Sequence, residues 1–294
     1  MSMYFDDKAM FSGPTTKQYG SHMVMTNVQK EAKTKYINID TKFRDEYNYK
    51  LTSDYNITLS ERLTDVRNIT VASAEIPNTI YNISENLKNN SIKFPSSKML
   101  VVPDGQYTQA TLITALNVRA AAESLGTTFD ISYNKTTITP TGATTINLDV
   151  DSSGNFAKYD FKSRLGWLLG FRNQSYTFSS KLTSEFLVDL SGPRYLYLVV
   201  DEFTGGNQKS FVSPLPTSVI NKNILARITM NNTTYPFLSI VPANTANGLL
   251  LSDTRSYTGK VDIQKLNVQL INENGTVMNL NGADFSFCIR MEHE

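Results

Sequence analysis

The sequence predicts an all-β protein of the sandwich or barrel type. Apolar residues recur with a period of two in many short runs, polar turn residues separate the runs, and only two segments carry helical spacing. Strands and long helices do not alternate, which excludes a doubly wound α/β fold.

Taken from the N-terminus, residues 1 to 33 have no sustained period and are broken by Gly13, Pro14 and Gly20, so they read as an extended arm. Flexible Met and aromatic side chains adapt to irregular grooves. Met3, Phe5, Phe11, Met23 and Met25 are therefore the residues expected to dock the arm on a neighbour. The period of two begins near Lys35 with Tyr36, Ile37 and Ile39, continues through Tyr55, Ile57 and Leu59, and resumes at Ile69, Val71 and Ile76 before Pro77 and Asn78. Further strands are expected at Ile92 to Phe94, Met99 to Val102, Phe129 to Tyr133, Thr136 to Thr139 and Thr144 to Val150. The second half adds Phe186 to Leu190, Tyr195 to Val200, Ile224 to Met230, Phe237 to Val241, Val261 to Ile271 and Phe285 to Arg290. The clearer helix runs from Thr108 to Ala122, where Thr108 can cap and Leu112, Leu116 and Ala120 recur every four residues. A shorter one is expected over Ser163 to Leu169. No internal repeat of fixed period is present.

With 28 basic and 27 acidic side chains and no Lys/Arg-rich run, the chain lacks the charge excess that drives nucleic-acid binding, so no direct nucleic-acid partner is expected. Its 40% hydrophobic and 19% charged residues supply a core and exclude a disordered chain. One elaborated domain is the default reading for 294 residues. Cys288 is the only cysteine, which leaves no intrachain disulfide and reads as a small buried hydrophobe. No apolar run approaches the roughly 20 residues of a membrane span. The basic-then-apolar layout of a signal peptide and a Gly after Met1 are missing as well, so cytoplasmic synthesis is expected.

Catalytic machinery is not legible. The two histidines, His22 and His293, lie near the chain ends, and no spacing pairs the scattered carboxylates. Neither a zinc-ligand cluster nor a Gly-rich phosphate cradle is found, and Gly205 with Gly206 reads as a loop tip, so no cofactor is expected. Asp149, Asp151, Ser153, Gly154, Asn155 and Asp160 match the oxygen-ligand spacing of a calcium loop. Against that, a strand rather than a helix enters it, Asp160 replaces the longer Glu, and Asp-Ser-Ser-Gly-Asn is ordinary turn chemistry. The expectation is a turn without metal. The Asn-x-Ser/Thr triplets at Asn56, Asn68, Asn82, Asn134, Asn173, Asn232 and Asn274 are likewise read as strand and turn residues.

A set of blocks then carries a family resemblance: Ile39 to Asp45; Ala74 to Tyr81, a strand followed by Pro77-Asn78; and Val102 to Thr108 leading into the helix. Leu168-Leu169-Gly170-Phe171, Gly192 to Leu196, Leu266 to Gly275 and Asn281 to Phe287 complete it. In this order the blocks resemble the minor capsid and penton-type proteins of nucleocytoplasmic large DNA viruses, over about residues 36 to 290. The resemblance implies a jelly-roll β-sandwich, single with a helix-bearing insertion or, alternatively, double. On that basis residues 34–294 are expected to form the sandwich, with the insertion around 103–126, behind the arm of residues 1–33. It further implies a non-enzymatic virion protein that packs against major capsid protein and other minor capsid proteins in an icosahedral shell, as facet cement or as a homo-pentamer at the five-fold vertices. Assembly would occur in the host cytoplasm or nucleus. Two rivals are a carbohydrate-binding jelly-roll module for host attachment, using the candidate calcium loop, and a carboxylate hydrolase on the same scaffold.

Overall fold

The computed structural model describes residues 32–46, 52–156, 161–203 and 223–294. Most of the expected arm, with Met3, Phe5, Phe11, Met23 and Met25, lies outside the described residues, as do His22, Asp160, Gly205 and Gly206. The strands before the first helix are β1 (Lys33–Asp40), β2 (Asp54–Pro77), β3 (Ser91–Lys93) and β4 (Met99–Val101). Helix α1 (Gln109–Ala122) follows, then β5 (Thr127–Ser132), β6 (Lys135–Pro140), β7 (Thr144–Asn147) and the single turn α2 (Leu165–Leu168). After it come β8 (Ser175–Phe178), β9 (Leu182–Thr183), β10 (Tyr195–Asp201), β11 (Ile224–Thr229) and β12 (Ile240–Asn244). β13 (Leu250–Ser252), β14 (Arg255–Ile271) and β15 (Ser286–His293) close the chain.

These elements build two bodies, each around its own core. In the larger, an eight-stranded antiparallel sheet runs β1-β15-β2-β14-β10-β11-β13, with β12 added on β2, and curls around Ile57, Val71, Ile76, Leu198, Leu270 and Phe287. The smaller is the excursion between β2 and β10: sheets β4-β3-β7-β8 and β5-β6-β9 close with both helices over Ile92, Leu112, Leu116, Phe129, Ile138 and Phe171. The chain is thus all-β and antiparallel, curled in jelly-roll fashion. The insertion expected around 103–126 is the middle of this longer excursion. Helix α1 carries a stripe of fully buried residues, Leu112 and Leu116, and the strands on either side of it in sequence supply the apolar cover.

Helix α1 begins as its sequence dictates. The Thr108 side chain accepts from the Thr111 amide, and Thr111 returns the bond to the Thr108 amide, a reciprocal cap.

Strand β2 departs from expectation. The sequence ends one strand at Leu59 and starts another at Ile69, yet the chain forms one strand of 24 residues. Its inward residues change parity along the way, from Tyr55, Ile57 and Leu63 to Val66, then Ile69 and Val71, then Ala74 and Ile76. A period of two cannot do this without extra residues. The pairing with β15 steps from Glu292 opposite Asn68 to His293 opposite Val66, and from Cys288 opposite Ser73 to Ile289 opposite Val71. Arg67 and Ala72 are the inserted residues, and these bulges let one strand bend around a single core. The polar stretch between is held outward, with Lys35 on Glu61 at 2.7 Å and Arg62 on Asp262 at 2.9 Å.

A second departure is Phe186 to Leu190, which is not a strand. Its amides serve two separate places: Phe186 donates to the Gly170 carbonyl and Asp189 to Leu168, both at the end of α2, and Val188 to Asn134 in the β5–β6 turn. No helix among the described residues is long and apolar enough to cross a membrane.

Candidate interface and the cleft between the two bodies

The residues that carry the family resemblance sit mainly at chain corners. Asp40 caps the turn after β1 by accepting from the Lys42 amide at 2.9 Å. Thr41 and Arg44 both donate to Asp284 Oδ1, at 2.8 and 3.0 Å, and the Phe285 amide donates to Thr41 Oγ1. The first and last blocks are therefore one corner, closed by a guanidinium that is 1% exposed. Asp45 accepts from the amide and hydroxyl of Thr58, and Asn78 donates to the Tyr235 carbonyl. Asn82 holds the crossing into the smaller body, donating to the Tyr107 and Leu190 carbonyls and accepting from the Tyr107 amide.

Where the bodies meet, a cleft of about 620 Å³ opens between the excursion and the β10 and β14 ends of the large sheet, within the range of ligand pockets. Lys88, Lys162, Arg164 and Trp167 stand on the smaller body's wall, and Tyr195 and Glu273 on the larger body's. Two groups here are unusual. Arg164 is 3% exposed, gives Nη1 to the Lys88 carbonyl at 2.7 Å, and leaves its buried Nε without a hydrogen-bond partner among the described residues. Across the cleft, Glu273 Oε2 is buried and also without a partner among the described residues, and burial raises its carboxyl pKa.

A raised carboxyl pKa means that the folded state holds the proton to higher pH than the unfolded state does, so the glutamate weakens folding once pH rises above the unfolded value. Glu273→Gln is accordingly expected to raise the urea midpoint at pH 7 and to leave it nearly unchanged near pH 4. An unchanged midpoint at both values would show that the side chain is solvated.

The aromatic rings of the cleft are already partnered. Arg172 lies over Trp167 at 3.9 Å and over Phe186 at 4.5 Å, while Arg227 lies over Tyr195 at 4.1 Å. This weakens the case for stacking a sugar there.

At the candidate calcium loop, Val150 bridges Phe156 to make a tight hairpin end. The Asp151 carboxylate accepts from the Ser153 and Asn155 amides at 3.0 and 2.9 Å, which lowers its pKa against the desolvation that would raise it. Asp149 is buried, and desolvation raises its carboxyl pKa. Among the described residues no set of three or more His, Cys, Asp or Glu side chains gathers as a metal site. Cys288, read as buried, is half-buried on β15, and burial raises its thiol pKa.

The ends of the large sheet complete the surface. Among the described residues β1 pairs only with β15, while β13 lies against β2, where Ser252 Oγ accepts from the Val71 amide at 3.0 Å; each strand exposes a large apolar side chain, Tyr36 and Leu251. Phe43 follows β1, and Leu238 with Ile240 lies at β12; all three are exposed. On the smaller body Tyr133, 96% exposed at a hairpin tip, lies one residue from Asn134, whose carbonyl accepts from the Val188 amide beside exposed Phe186 and Leu187. Neither the cleft pair nor these edges could be read from one sequence, because each depends on which distant strands become neighbours.

A family model described as a family of unknown function (DUF5901) matches residues 23–166. No curated protein matches the chain. Among solved structures, the chain is similar to the mavirus penton protein at 11% identity and a TM-score of 0.41, covering 90% of this chain and 100% of that one. It is also similar to a chain of the Sputnik virophage at 13% identity and a TM-score of 0.40, covering 90% of this chain and 98% of that one.

Proposed function

We propose that the chain is a non-enzymatic structural protein of a virion capsid, a minor capsid or penton component that packs against major capsid protein. The observation that carries this reading is the terminal strand β1, which pairs on one side only among the described residues and exposes Tyr36, together with the exposed Leu251 on β13. Single exposed apolar residues are ordinary on a monomer. An edge strand of eight residues that pairs on one side only among the described residues is not, because it templates pairing with another chain unless something covers it. The sequence blocks support the same reading, since they fix the corners of a curled sheet and the resemblance is to shell proteins. The narrower attribution to nucleocytoplasmic large DNA viruses, and the choice between vertex pentamer and facet cement, rests on that resemblance alone.

A shell subunit needs area, on the order of 1,600 Å² for each standard stable contact, so an isolated chain should expose sticky edges. Light scattering after gel filtration is expected to show concentration-dependent self-association, or co-elution with major capsid protein. Tyr36→Lys with Leu251→Lys is expected to weaken either at least tenfold, about 1.4 kcal/mol, as charges placed on an edge do. A monodisperse chain that ignores major capsid protein would refute the proposal.

A further inference from the structure

We infer that the cleft between the two bodies is the docking site of this chain's own N-terminal arm, with Met3, Tyr4 and Phe5 over the apolar wall and Asp6 and Asp7 on the cationic one. Arg164 is the starting point. A guanidinium that is 3% exposed and makes no ion pair with a described residue is costly to keep, because a buried charge without a counter-ion loses its hydration and regains little. Asp149 and Asp151 feel its field, yet neither approaches to ion-pair distance. Lys88 and Lys162 stand exposed on the same wall. The cleft therefore presents three cations, one of them buried and incompletely bonded, to whatever enters it.

The opposite wall selects among anions. Glu273 Oε2 is buried and unbonded there, so a polyanion such as nucleic acid would meet a carboxylate at close range. A polypeptide offers both halves: carboxylates for Arg164, Lys88 and Lys162, and backbone N–H donors for Glu273. Half-buried Leu87, Trp167, Leu168 and Leu190 give apolar footing between them.

The identity of the polypeptide follows from the remaining sequence. Of the residues outside those described, only Asp6, Asp7, Glu31 and Asp160 are acidic, and only Asp6 and Asp7 adjoin. They follow directly on Met3-Tyr4-Phe5, one of the arm's three apolar triplets beside Ala9-Met10-Phe11 and Met23-Val24-Met25, and the one that adjoins the acidic pair. From Asp7 to Lys33, where β1 begins, the chain spans at most on the order of 90 Å. The segment can therefore reach the cleft of its own chain or of a neighbouring copy, so the inference stands apart from the shell reading and only its in-trans form rests on it.

Zero-length carbodiimide cross-linking of the full chain, followed by tryptic mass spectrometry, tests this. The Lys35–Glu61 pair at 2.7 Å serves as the internal positive control. Cross-links from Asp6 or Asp7 to Lys88 or Lys162 are expected, and they should vanish in Asp6→Asn/Asp7→Asn. Trp167 is the only tryptophan and lines the cleft, so its emission reports occupancy. A synthetic peptide of residues 1–12 added to full-length Asp6→Asn/Asp7→Asn should change that emission saturably. The same peptide with Asn at both positions should bind at least tenfold more weakly, as should the native peptide to an added Arg164→Met. Where Arg164→Met fails to fold, the exposed pair Lys88→Gln/Lys162→Gln gives the same readout. The inference is overturned if Lys35–Glu61 cross-links while the arm does not reach the cleft, if both peptides bind alike, or if inorganic phosphate or an unrelated acidic peptide displaces the arm as well as the peptide itself does. Self-association with no such cross-link would sink the inference and leave the shell reading intact.

Discussion

Glu202→Ala is expected to lower the free energy of unfolding by about 3–5 kcal/mol, the cost of stranding a buried charge. Glu202 and Arg255 form an ion pair at 2.6 Å in which both side chains are 2% exposed. Arg255 also donates to the Val200 and Asn223 carbonyls at 2.8 and 2.9 Å, and the Tyr257 hydroxyl donates to the other Glu202 oxygen at 2.7 Å. Burial and then the neighbouring Glu202 charge raise the Tyr257 pKa, so the phenol stays a donor. Removing the carboxylate leaves a buried guanidinium and the Tyr257 hydroxyl without their shared acceptor. Glu202→Leu with Arg255→Met should recover most of the loss, because an apolar pair owes no desolvation penalty. Urea unfolding of the three proteins decides it; a loss under about 1 kcal/mol in Glu202→Ala would mean that water reaches the site.

Gly170→Ala is the second large effect, at about 2–4 kcal/mol. Gly170 has φ +93, a region that side-chain-bearing residues avoid, and an added Cβ would lie 2.2 Å from the Phe186 carbonyl oxygen. That carbonyl belongs to the backbone of the irregular segment, whose Phe186 amide donates to Gly170, so it has little freedom to move. Gly248→Ala separates strain from collision, since Gly248 has φ +73 with nothing within 4 Å, and should lose only about 1 kcal/mol. Equal losses at the two positions, read by thermal unfolding, would contradict the packing argument.

The parts of the fold legible in the sequence are those governed by local rules. Thr108 with its four-residue stripe places α1 within one residue of its observed start, and Tyr195 to Val200 places β10 because a continuous apolar run bounded by turns has few alternatives. The corner built by Asp40, Thr41, Arg44 and Asp284 is visible only as two separate blocks of a resemblance; that they touch is a tertiary fact. Strand β2 is longer than its sequence suggests because bulges at Arg67 and Ala72 break the period on which strand recognition depends. Phe186 to Leu190 errs in the converse direction: its apolar run is real, but its backbone partners lie at the end of α2 and in the β5–β6 turn instead of on one strand. Arg164 and Glu273 carry no local signal. A buried charge looks like a surface charge until the packing is known.

We propose that this curled antiparallel sheet is covered along its edge by other subunits of a shell. Cryo-electron microscopy of the intact particle that contains the chain is the most direct test. Density for the larger body is expected within the protein shell, with β1 or β13 paired to, or packed against, a neighbouring subunit. Absence of the chain from the shell, or both edges facing solvent there, would contradict it.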